Sequence, residues 1–368
     1  MINQERILEL FFELVRIDSP SLQEKEVAAY LREKMEKRGF KVSEDRAGEL
    51  SGGNTGNLIV HVPATGEGEP IAFSAHMDCV QPCIGVEPII DGDVVRSAGE
   101  TVLGGDDKAG IAMAIEALNH LEEESIPHPD IYFVFSICEE SGMHGAKNLD
   151  TDLLPAKDIV ILDSSGDVGT IVVAAPAKAG INITFTGKSA HAGIAPEEGI
   201  SAIQLASEAV SNMNLLRIDE STTANLGRIE GGSATNIVAE SVTLTAEARS
   251  LHDNSLKKQL EHMEACCAAA VEKVGGEYKF DYEISYPALK VAADSKVLAR
   301  VEEACKNIGA IPKRVPTGGG SDANILYGKG FNAVTLGIGM SKVHTTEEFI
   351  KIDSLTGCAE LVAEIMKS

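Results

Sequence analysis

The chain has 368 residues, 44% of them hydrophobic, with mean hydropathy +0.01 and formal net charge −24. That size and polarity describe a soluble globular protein large enough for two domains, and the acidic excess argues against nucleic acid or an anionic membrane as the main partner. No window approaches the eighteen or so apolar residues of a membrane span, and "MINQERILELFFELV" places charges at helical spacing rather than in signal-peptide order, so a cytoplasmic protein is expected. The seven cysteines show no C-x-x-C pairing and read as small buried hydrophobes in a reducing compartment.

Residues 3–17 and 22–38 carry helical periodicity, followed by strands at "FKVSE", "NLIVHVP" and "PIAFSAHM" and a helix over 107–121. The runs "DIYFVFSIC" and "DIVILD" are short, continuously apolar and rich in β-branched or aromatic residues, the signature of strands covered on both faces. Between about Gly180 and Ala288 the rhythm changes: "GINITFTGKS", "GISAIQLASEAVSNMN", "TTANLGRIEG", "ESVTLTAEARSL", "LKKQLEHMEACCAAAVEKVG" and "EYKFDYEIS" read as β-α-β-β-α-β. The first rhythm then resumes through "SKVLARVEEACKNIG", "AVTLGIG" and a terminal helix. The expected fold is therefore α/β: a mainly parallel-sheet domain over 1–178 and 290–368, interrupted by an α+β, ferredoxin-like domain over 179–289.

Open sheets of this class place ligands at the carboxyl ends of their strands. There the chain sets His76 and Asp78 in "SAHMD", Asp106 in "GGDDKAG", Glu139 and Glu140 in "EESGMHGA", Asp163 in "LDSSG" and His344 in "VHTTEE". A lone H-x-D is more often a hydrogen-bonded pair than a metal site, and any single acid could be a solvated loop charge. Metal-binding residue types recurring at five strand ends point instead to a divalent-cation centre. The glycine-rich "TGGGSDAN" at 317–324 lacks phosphate-loop order, so no nucleotide site is expected.

In this order, and with "GKSAHAG" added, these motifs resemble the M20 family of dinuclear zinc aminopeptidases, carboxypeptidases and deacylases, over essentially the whole chain. Their spacing is most similar to the peptidase T, or tripeptide aminopeptidase, branch. The resemblance implies that His76, Asp106 and Asp163 hold one metal ion, and that Glu140, His344 and the shared Asp106 hold the other. It gives Asp78 the task of orienting His76 and makes Glu139 the general base for a metal-bridging water. Imidazoles with carboxylates suit zinc, and the same oxygen-rich set accepts cobalt or manganese. His191 resembles a histidine that stabilises the oxyanion from a partner subunit, implying a homodimer through the inserted domain, which would also act as a lid. Asn236 and Arg249 resemble substrate contacts, the guanidinium being suited to a peptide carboxylate; a surface salt bridge is the alternative for Arg249. The implied activity is hydrolysis of the N-terminal bond of short peptides, above all tripeptides. M20 dipeptidases, carboxypeptidases and N-acyl amino acid hydrolases share the ligand set, and a metal-free binding module is the alternative outside catalysis.

Overall fold

The computed structural model describes residues 1–367. The chain divides into two compact units, one comprising Met1–Val173, Lys290–Thr317 and the residues from 321 onward, the other Ala174–Leu289 with Gly318–Gly320. Each has its own hydrophobic core.

Seven strands of the sheet on which the first unit is built run in the order Lys41–Glu44, Leu58–Val62, Ile131–Ser136, Ile71–His76, Asp158–Ser164, Asn332–Gly337 and Thr170–Ala175. The four strands from Ile131–Ser136 to Asn332–Gly337 are parallel, and antiparallel strands flank them on both sides. Their sequences explain the arrangement: every residue of Ile71–His76 and Ile131–Ser136 is buried, as strands covered on both faces require. The mainly parallel α/β class read from the sequence is the class observed.

Helix Gly105–Glu123 packs closely against this sheet and is buried along almost its whole length. A Cβ at Gly110 would lie 2.5 Å from Asp107 Oδ1 and 2.6 Å from the Leu162 carbonyl, so only glycine permits the approach. Helix Gln4–Val15 begins at Asn3, whose side chain accepts from the Arg6 amide, and buries Ile7, Leu10, Phe11 and Leu14 at three- and four-residue spacing. Its Arg6 donates Nε and Nη2 to the fully buried Glu116 carboxylate at 2.6 and 2.8 Å, pinning it to the long helix.

A separate four-stranded antiparallel sheet, in the order Met340–Ser341, Phe349–Lys351, Val94–Ser97 and Pro88–Asp91, joins a hairpin after the Ile71–His76 strand to the loop that carries His344. The sequence pattern predicts no strands at Pro88–Asp91 and Val94–Ser97, although Gly92-Asp93, the two-residue loop that joins them, is a hairpin turn signal.

The second unit follows the β-α-β-β-α-β order, with strands Ala177–Thr186, Thr222–Gly231, Ser241–Ser250 and Glu277–Tyr286 and helices Ala202–Asn212 and Asp253–Val274. All its strand pairs are antiparallel, and Ala177–Thr186 lies between Ser241–Ser250 and Glu277–Tyr286, the ferredoxin-like arrangement. Inward residues alternate strictly along Ser241–Ser250, where Val242, Leu244, Ala246 and Ala248 face the helices. Among the described residues no helix is long and apolar enough to cross a membrane.

Candidate functional site

His76 is the last residue of its strand, and its ring is 2% exposed. Its Nδ1 lies 3.0 Å from the Asp78 carbonyl oxygen and 3.4 Å from Asp78 Oδ1. With that nitrogen donating, Nε2 is left to face the cluster, 3.0 Å from Asp106 Oδ1 and 4.0 Å from Asp163 Oδ1. On the other side of the same carboxylate, Asp106 Oδ2 lies 3.3 Å from His344 Nε2, which is also 3.0 Å from Glu140 Oε2. The two oxygens of Asp106 thus address two different histidines. Asp106 and Asp107 interrupt the helical backbone at the start of Gly105–Glu123.

Asp78 holds more than the histidine. Its fully buried carboxylate accepts from Ser21 Oγ at 2.6 Å and from the backbone amides of Glu139 and Glu140 at 2.9 and 3.2 Å. Burial opposes its ionisation, but the bonds from His76, then Ser21 and the Glu139 amide, hold it below the usual carboxylate range. One aspartate therefore fixes the His76 ring and the turn bearing both glutamates. That turn enters through Cys138 at φ 49, and His344 sits at φ 62; both are left-handed conformations that a non-glycine residue adopts at a cost.

The electrostatics of this cluster call for cations. Burial, then the neighbouring Asp163, pushes Glu139 well above the ordinary carboxylate range, and burial with Asp106 does the same to Asp163. Hydrogen bonds to Asp106 and Glu140 raise His344 to about 10. Burial disfavours the charged ring of His76, yet its bonds to Asp106 and Asp78 carry it well above normal. Carboxylates therefore stand against both imidazoles. Even so, Glu140 Oε1, Asp107 Oδ1 and Asp322 Oδ1 are buried without a hydrogen-bond partner. Buried carboxylate oxygens left this way are costly unless a cation takes their lone pairs.

The donor set fits that demand. Ligand atoms of His76, Asp106 and Glu140 lie within 4.8 Å of one another, as do those of His76, Asp107 and Asp163. Imidazole with carboxylate suits zinc and neighbouring divalent metals.

Residues 72–368 match the model of peptidase family M20/M25/M40. The chain belongs to this family. As an M20 protein it is a hydrolase, and its relatives place it near the peptidase T branch. It is 43% identical to the aminopeptidase PepT of Bacillus cereus ATCC 10987, covering 100% of this chain and 98% of that one with TM-score 0.94. A tripeptidase of Staphylococcus aureus subsp. aureus Mu50 is 42% identical at the same coverage, with TM-score 0.96. Among curated sequences, the YqjE protein of Bacillus subtilis strain 168 is 42% identical over 367 residues, covering 100% of this chain and 99% of the relative.

Of the residues singled out in the M20 motifs, His76, Asp78, Asp106, Glu139, Glu140, Asp163 and His344 come together in the first unit. His191 and Asn236 meet in the second, where His191 bridges to Ile237 and the Ala192 amide donates to the Asn236 carbonyl. The Gly193 amide donates to His191 Nδ1 at 3.2 Å, leaving Nε2 to carry the ring proton. Arg249 spends its Nε and Nη2 on Glu247, at 2.8 and 3.3 Å, and Glu247 also meets Lys178 at 3.0 Å.

Two acids escaped the sequence reading. Asp107 Oδ2 accepts from the His76 amide at 3.1 Å, and its only local signal was adjacency to Asp106. Asp322, in the glycine-rich run, accepts from Ser136 Oγ at 2.7 Å and is pushed up to about 6 by burial.

Proposed function

We propose that the protein is a metal-dependent aminopeptidase that hydrolyses the N-terminal bond of short peptides, above all tripeptides. The observation that carries the reading is Asp106, whose two carboxylate oxygens face His76 and His344 at 3.0 and 3.3 Å. In this reading His76, Asp106 and Asp163 hold one divalent cation and Asp106, Glu140 and His344 the other, zinc being favoured and cobalt or manganese also accommodated. When bound, such a pair supplies Lewis-acid polarisation of the scissile carbonyl and acidifies water. The two structural relatives, an aminopeptidase and a tripeptidase, support the substrate class.

The chain's own residues do the rest. Glu139 is the base: burial, then the neighbouring Asp163, raises its proton affinity well above that of an ordinary carboxylate. It takes a proton from water as the water oxygen attacks the peptide carbonyl, then returns it to the departing amine. Asp78 keeps Glu139 in place by accepting from its amide, so the base is aimed through its backbone. His191 is assigned as donor to the developing oxyanion; its Nε2 carries the proton that the role needs. Asn236 and Arg249 are assigned to the substrate; Glu247 occupies the Nε and Nη2 edge of Arg249, and Nη1, which donates to the Gly318 carbonyl at 3.5 Å, keeps a second N–H for a peptide carboxylate. The second unit is read as a lid and as the surface through which a homodimer forms.

Two measurements test this proposal. Metal analysis of the purified protein is expected to find close to two divalent ions per chain, and a chelator should abolish activity reversibly. Trialanine, dialanine and an N-acyl amino acid assayed side by side should give fastest release of free alanine from the tripeptide. Preference for the N-acyl substrate would replace the aminopeptidase reading.

A further inference from the structure

The run "VHTTEE" contributes His344 to the cluster, but its last acid has no part in the assignments above. Glu348 is only 2% exposed. Its Oε2 accepts from the backbone amides of Leu103 and Gly104 at 2.8 and 2.9 Å, and its Oε1 from the amide of Asp106 at 3.0 Å. A Cβ on Gly105 would stand 3.0 Å from Oε1, so glycine there leaves room for the carboxylate to close on three N–H groups. Glu348 is itself fixed, because the strand that follows it, Phe349–Lys351, pairs with Val94–Ser97. One buried side chain therefore ties the loop carrying His344 to the turn carrying Asp106, across 242 residues of sequence.

We propose that Glu348 is a positioning residue that aims the Asp106 carboxylate between the two histidines and sets the cation affinity of the Asp106–Glu140–His344 position. The inference rests on the two-cation reading above. The selectivity follows from what each position hangs on. His76 and Asp163 are held at strand ends, and His76 is oriented by Asp78, independently of Glu348. His344 lies on Glu348's own loop, half exposed and in a left-handed backbone conformation, and Asp106 is held through its amide by Glu348. Weakening Glu348 thus loosens two of three donors at one position and one of three at the other.

The test starts from the zinc-loaded enzyme and measures both zinc affinities by competition with a chromophoric chelator, alongside the visible spectrum of the cobalt(II)-substituted protein. Glu348→Gln keeps the shape but turns an NH2 group toward a backbone amide that needs an acceptor. One of the two zinc affinities is expected to fall about 10–100-fold while the other changes by less than about threefold. The cobalt spectrum should shift, kcat at limiting zinc should fall in step, and KM should stay near the wild-type value. Glu348→Asp, which keeps the charge, should recover part of the affinity. Where Glu348→Gln does not fold, Gly105→Ala, whose methyl presses on Oε1, should give the same selective weakening. Wild-type protein that binds two zinc ions beside a variant with both affinities unchanged would overturn the inference and leave the metal reading intact. Equal loss at both sites, with a lower melting temperature for the metal-free protein, would also overturn it by showing a general structural role. Wild-type protein that does not bind two zinc ions would remove the reading on which the inference stands.

Discussion

Asp78→Asn is the substitution whose effect follows most directly from the geometry. The wild-type carboxylate serves Ser21 Oγ, the amides of Glu139 and Glu140, and the His76 ring from a position with no solvent exposure. Asparagine preserves volume but has one acceptor oxygen, so its NH2 group must face a donor. Ser21 can rotate its hydroxyl and accept instead, whereas a backbone N–H cannot. Turning Oδ1 toward Glu139 therefore orphans the Glu140 amide, and the opposite orientation orphans that of Glu139. One buried unsatisfied amide costs about 1–3 kcal/mol, and losing the charge from the remaining bonds adds about 1 kcal/mol, for a total of about 2–4 kcal/mol. Because the orphan lies on the turn that carries both glutamates, part of that cost should appear at the reaction centre as a drop in kcat of about 10–100-fold. The assay is steady-state hydrolysis of trialanine at saturating zinc, with metal content and thermal unfolding measured on the same preparation. A kcat within about threefold of wild type would refute the claim that Asp78 aims the catalytic turn.

Other substitutions separate the roles. Glu139→Gln should lower turnover by about 10²–10⁴-fold while metal content stays near two per chain, as quantified by elemental analysis; simultaneous metal loss would make Glu139 a ligand instead of a base. His191→Ala should reduce kcat by about 10²-fold and leave zinc affinity and the unfolding midpoint unchanged, and an effect on KM alone would assign it to substrate binding. Glu116→Ala removes the acceptor of two Arg6 donors and of the Asn3 amide and should destabilise the protein by about 2–3 kcal/mol in chemical denaturation, with kcat of the folded enzyme untouched.

The sequence made the architecture readable where side-chain pattern and burial coincide. Ile71–His76 and Ile131–Ser136 are apolar without alternation because both their faces are covered, and Ser241–Ser250 alternates because one of its faces is. The Pro88–Asp91 and Val94–Ser97 hairpin carries a weaker pattern: its strands are only four residues each, and Pro88–Asp91 ends in exposed positions. At the candidate site, the residues that converge were legible because open sheets gather chemistry at strand ends. Their supports were not. Glu348, Asp107 and Ser21 act on backbone amides or on side chains dozens to hundreds of residues away, and a hydrogen bond to a distant amide imposes no spacing on the chain. The Arg249–Glu247 pair is the salt bridge given above as the alternative for Arg249, and it forms because residues two apart on a strand share a face.

The central claim is that one carboxylate, that of Asp106, joins two cations. The most direct measurement is an anomalous difference map at the zinc edge from crystals of the zinc-loaded protein. Two peaks about 3.5–4 Å apart are expected, one on each side of the Asp106 carboxylate, with His76 and Asp163 beside one and Glu140 and His344 beside the other. A single peak, or two peaks with Asp106 turned away from the space between them, would contradict it.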